Sequence, residues 1–137
     1  MELKEHQQPH AVLIPLPLQG HINPFTHLAS KGFTITFVGT QSTDQQIAKP
    51  HSWKVSLVFQ AHVDDFIENL VLSKLNPPIS CIIADSFHVW GSMIAKKYNL
   101  FIVSFWTEPT TLLTVFYHTN LLKSNGHFGR HGMNPIS

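Results

Sequence analysis

His21, Asp85 and Thr107 are the residues whose types and settings suit chemistry. An imidazole readily takes and returns a proton near neutral pH. A carboxylate on its Nδ1–H fixes the tautomer and stabilises the imidazolium, so that Nε2 takes the proton of a substrate hydroxyl. His21 and Asp85 form such a dyad if the fold brings them together. Thr107, ahead of Glu108-Pro109, offers a hydroxyl and nearby N–H groups to an anionic oxygen at a helix N-terminus. Each has a plainer reading. One histidine after a glycine is a weak signal, an aspartate at a strand end is often the N-cap of the next helix, and Thr107 also suits an ordinary N-cap. Ser86 lies beside the carboxylate, but no GxSxG elbow accompanies it. The sequence also has no GxGxxG or Walker loop, which excludes ordinary dinucleotide and P-loop readings.

The elements that must position these residues follow from the apolar pattern. In HAVLIPLPLQGHINP, from His10 to Pro24, the run Ala11 to Ile14 fits a fully buried strand of a parallel sheet. Gly20 permits a sharp turn, which places His21 beyond the strand's C-terminal end. Asn23 then reads as the N-cap of a helix over about Pro24 to Lys31, closed by Gly32. Phe33 to Val38 is rich in β-branched and aromatic residues and predicts a second strand. The intervening helix is short for a parallel crossover, so either it is minimal or residues are missing.

Gln41 to Lys54 reads as a loop with a helical turn at Asp44 to Ala48. From Val55 to Leu75 apolar residues recur at three- and four-residue steps, predicting an amphipathic helix whose Asp64, Asp65, Glu68 and Asn69 form a solvated face. Pro77-Pro78 ends it. Ile79 to Ala84 is a buried strand stopping at Asp85, Val89 to Tyr98 a helix, Leu100 to Trp106 a strand, and Glu108 to Leu122 a last helix. The alternation predicts an α/β fold: an open parallel sheet with helices on both faces. With the first strand between the second and third, His21 and Asp85 both face the crevice at the strands' C-terminal ends.

Composition narrows the function classes. At 137 residues, 43% hydrophobic and 12% charged, the chain has the makings of one globular domain. A formal net charge of +1 with no Lys/Arg cluster argues against a nucleic-acid partner. The ten histidines are scattered without ligand spacing, so no metal is expected. One cysteine, Cys81, among isoleucines reads as a core thiol in a reducing compartment. The polar N-terminus and the absence of a long apolar stretch predict a cytoplasmic chain with no membrane span.

Taken in order, HAVLIPLPLQGHINP with GFTITFV, then PPISCIIADSFHVWGSMIAKKYNL and IVSFWTEP, resemble the N-terminal half of a plant UDP-dependent glycosyltransferase acting on small molecules. The resemblance covers most of Pro9 to Phe128. It implies a GT-B architecture of two Rossmann-like domains, of which this would be the acceptor-binding one, spanning 9–122 and incomplete. Residues 1–8 would be a disordered N-terminus and 123–137 a linker or frayed tail.

The reaction implied is metal-independent, inverting transfer from a UDP-sugar, with UDP-glucose the expected donor and no cofactor. The acceptor would be a small molecule such as a phenolic, terpenoid or hormone of plant secondary metabolism. By motif, His21 resembles the catalytic base, Asp85 its orienting carboxylate and Thr107 a donor contact, with Gly20 on the acceptor side. The uridine-binding signature of the family does not occur in the 137 residues. The first helix is about a turn shorter than the family's, and residues are missing near Gln46 to Val55. The resemblance therefore implies a truncated chain that is inactive by itself.

Overall fold

The computed structural model describes residues 8–39 and 52–127. The chain divides into two compact units, Met1–Thr107 and Glu108–Ser137. The first holds strands β1 (His10–Ile14), β2 (Thr34–Phe37), β3 (Ile79–Asp85) and β4 (Phe101–Phe105). They form one sheet in the order β2-β1-β3-β4, every neighbouring pair parallel. The central place expected for the first strand is observed, and all five residues of β1 are buried. Unbroken apolar runs dictate this, because a strand covered by helices on both faces has no side left for polar residues.

Helices α1 (Gln19–Ala29), α2 (Ser52–Leu72) and α3 (Gly91–Lys97) cover the two faces. Ala11 and Leu13 point to α1, packing with Phe25, Leu28, Cys81 and Ile83. Val12 and Ile14 point the other way, onto Val63 and Ile67 of α2 and Ile94 and Ala95 of α3. The period-two alternation of a strand thus sorts one continuous apolar run into two cores. Lys97 donates to Asp64 Oδ2 at 2.8 Å and the Tyr98 hydroxyl to Asp64 Oδ1 at 2.9 Å, tying α3 to α2. Asp64 is therefore engaged across the fold, and the face expected to be merely solvated is solvated only in part. The buried stripe of α2 is also narrower than its apolar content: Val63 and Ile67 are buried, while Val58, Phe66 and Val71 are exposed.

The predicted start of the first helix is corrected. It begins at Gln19, not Pro24, and its N-cap is Leu18, whose carbonyl accepts the N–H groups of His21 and Ile22 at 2.9 Å each. Pro24 lies inside the helix, with no N–H to give the Gly20 carbonyl. Asn23 is no cap: its Oδ1 accepts from Gln19 Nε2 at 2.8 Å along the helix surface. The helix starts earlier and ends earlier than expected, at Ala29, and has 11 residues.

Ser52 to Lys54 are helical, whereas a loop was expected there; the predicted turn at Asp44 to Ala48 lies outside the described residues. The same holds for residues 1–7 and 128–137. In the second unit the single predicted helix is two, α4 (Thr110–Tyr117) and α5 (Thr119–Ser124), parted at His118. The Thr119 hydroxyl turns back onto the Phe116 carbonyl at 2.8 Å, a local bond that competes with helix continuation. No helix among the described residues is long and apolar enough to cross a membrane.

Candidate active site

The parallel register sets the site. Ile14 pairs with Ala84, and Asp85 with Phe105, so β1, β3 and β4 end at one edge of the sheet. Three chain continuations then deliver one side chain each: His21 from the first turn of α1, Asp85 as the last residue of β3, and Thr107 two residues beyond β4. His21 Nδ1 lies 2.7 Å from Asp85 Oδ2, with His21 6% and Asp85 1% exposed. The Thr107 Oγ1 lies 2.6 Å from the same nitrogen and 3.3 Å from the same carboxylate oxygen. All three residues singled out in the sequence meet.

The N-cap role weighed for Asp85 is not observed, since α3 begins later with Trp90 as its N-cap. Asp85 Oδ1 accepts the Phe87 N–H at 3.0 Å, closing the turn after β3, while Oδ2 faces the imidazole. A buried carboxylate needs such partners, because an unpaired charge away from water is strongly disfavoured. Thr107 is not a cap: the N-cap of α4 is Pro109, with no side-chain capping bond. At Gly20 a Cβ would meet open space within 4 Å, so the α1 entrance beside His21 is uncrowded. The Phe87 ring stands edge-on to His21 at 5.6 Å between centroids and stacks on Trp106 at 5.9 Å, adding an aromatic wall.

Sequence reasoning missed two buried histidines. His88 touches the Trp90 and Phe59 rings, and its Nε2 lies 3.3 Å from the Pro15 carbonyl, clasping the exit of β1. Burial holds His88 below the ordinary histidine range, opposed by the Pro15 carbonyl and the nearby Asp85. The Trp90 indole N–H is buried without a partner among the described residues. His10, at the opposite edge, bonds Pro77 and Thr36. The signal that could have found His88 was its place in the Asp85-Ser86-Phe87-His88 turn; for His10 only the fold supplies the partners. Among the described residues no three or more His, Cys, Asp or Glu side chains gather in a group able to hold a metal ion. Cys81, expected in the core, is only partly buried at its margin, and that burial pushes its thiol up.

Comparison with known proteins gives these positions a context. No protein-family model matches the chain. It is 41% identical to UDP-glycosyltransferase 86A1 of Arabidopsis thaliana and 36% to UDP-glycosyltransferase 86A2 of the same plant, each over at least 90% of this chain. It spans about a third of the length of these curated relatives, 35% and 34%. The match to the first runs over 173 residues, more than the 137 of the chain, so the relative carries residues that this chain lacks. Among solved structures, Os79 from O. sativa, in complex with U2F and trichothecene, superposes with a TM-score of 0.59 at 18% identity, over 82% of this chain and 32% of that one. Phytolacca americana UGT2, complexed with UDP-2fluoro-glucose and pterostilbene, gives 0.57 at 18%, over 91% and 36%. The parallel α/β sheet is thus the fold of one part of the GT-B glycosyltransferases.

Proposed function

From the likeness of this chain to about a third of the plant UDP-glycosyltransferases, we propose that it forms the acceptor-binding side of an enzyme moving a sugar from a UDP-sugar to a small-molecule hydroxyl. The reading rests above all on one observation, the buried 2.7 Å contact of His21 Nδ1 with Asp85 at the C-terminal sheet edge. With Nδ1–H donated to Asp85, Nε2 takes the proton of the acceptor hydroxyl as its oxygen attacks the anomeric carbon. The bond from that carbon to the UDP oxygen breaks, and the sugar is transferred with inversion and without a metal. Asp85 faces the imidazolium so formed and offsets its charge.

Gly20 leaves room for an acceptor beside His21, and Thr107 stands on the donor side, with glucose the sugar expected. The acceptor is a phenolic, terpenoid or hormone, and the compartment the cytoplasm. The 137 residues alone turn nothing over in this reading, because uridine is held by a separate part. The test is to join the chain to the C-terminal part of a plant UDP-glycosyltransferase and supply labelled UDP-glucose with phenolic acceptors. Transfer that vanishes in His21→Ala supports the reading; transfer that survives it refutes His21 as the base.

A further inference from the structure

We propose that Thr107 is a positioning residue for the histidine, locking the His21 ring and its tautomer from a third strand. Its hydroxyl oxygen, Nδ1 of His21 and Oδ2 of Asp85 form a triangle with sides of 2.6, 2.7 and 3.3 Å. The proton arrangement that satisfies all three atoms has a hydrogen on Nδ1, shared between the carboxylate and the hydroxyl oxygen, and the hydroxyl hydrogen directed to Oδ2. In the other neutral tautomer the Nδ1 lone pair would face the carboxylate at 2.7 Å, which is repulsive.

The hydroxyl thus acts twice: it makes a second acceptor for Nδ1–H, and it holds Oδ2 in place. After Nε2 gains a proton the same two oxygens still receive Nδ1–H, so the charged ring needs no reorientation. Thr107 reaches the triangle from beyond the end of β4, which pairs with the β3 strand that carries Asp85. One hydroxyl lone pair remains for a donor sugar hydroxyl, so a donor contact and a positioning role are compatible. The inference deepens the proton transfer proposed above and rests on it for its purpose, but it is read on the histidine and not through sugar transfer.

The experiment uses the 137-residue chain with ¹⁵N-labelled histidine. The His21 tautomer and the exchange rate of its Nδ1–H with water are measured in the parent, Thr107→Val and Thr107→Ser, with thermal unfolding alongside. Exchange is expected to rise about tenfold in Thr107→Val, the factor for one lost hydrogen bond, and to return in Thr107→Ser. The unfolding midpoints of parent and Thr107→Ser should coincide. Unchanged exchange and tautomer in Thr107→Val would overturn the proposal. If Thr107→Val does not unfold cooperatively, Thr107→Ala replaces it with the same two outcomes. Should the fused enzyme fail to transfer sugar while the exchange still depends on Thr107, the function falls and the positioning stands.

Discussion

Two buried histidines flank β1, His10 as its first residue and His21 in the first turn of α1 beyond its last, and their ring partners differ. His10, at the entrance, has Nδ1 3.0 Å from the Pro77 carbonyl and Nε2 2.8 Å from the Thr36 hydroxyl. Its own carbonyl accepts from the Ser80 hydroxyl at 3.0 Å. Both ring nitrogens are occupied by neutral partners, and the side chain stitches β2 and the approach to β3 onto β1. His21, past the exit, has a carboxylate on Nδ1. Burial does not separate the two, since they are 5% and 6% exposed. The charge of the partner does: a carbonyl and a hydroxyl fix a ring, whereas a carboxylate also meets the charge that proton transfer creates.

The sharpest way to break this contrast is to remove each ring in turn. In the chain fused to a donor-binding part, His21→Ala is expected to lower transfer about 10²- to 10⁴-fold, the range of a lost general base. Asp85→Asn should come next, because an amide N–H facing Nδ1 turns the imidazole to the wrong tautomer; ¹⁵N shifts of His21 would show the proton move to Nε2. His10→Ala should instead cost about 2–4 kcal/mol in urea unfolding, since it opens a cavity and leaves buried polar partners unmet. The transfer rate per folded molecule should hardly change. Equal effects of His10→Ala and His21→Ala on that rate would erase the distinction.

His88 supplies the smallest test and sharpens the contrast by pH. Burial holds its folded value below the ordinary one, so the unfolded chain binds the proton more readily. Its contribution to stability is therefore complete above about pH 6.5 and declines as pH falls through that value towards the depressed one. His88→Gln, which keeps a donor for the Pro15 carbonyl, should flatten the decline in urea midpoint between about pH 7.5 and 5. A decline as steep as the parent's would show that another group is responsible.

What could be read in advance was what is local. The runs at Ala11 to Ile14 and Ile79 to Ala84 announce buried parallel strands because no alternation interrupts them, and their ends locate His21 and Asp85. Asn23-Pro24 misled because its residues suit a helix start, while the helix had already begun on the Leu18 carbonyl with no side-chain cap to mark it. β4 has a strand composition, yet Phe101 is 80% exposed, because apolar content does not tell an edge strand from a central one. His10 and His88 were illegible for a different reason: His10 finds Pro77 67 positions away, and His88 finds Pro15 73 away.

The same long reach sets an order in time. His21 and Asp85 are 64 positions apart, and His21 and Thr107 are 86. Such contacts close large loops, and their entropy must be met before any contact rewards it. A chain made from its N-terminus at roughly 5–20 residues per second presents His21 seconds before Asp85 exists, and later still before Thr107. The triangle therefore waits until the chain has been made past β4, and its appearance reports that β1, β3 and β4 have all assembled.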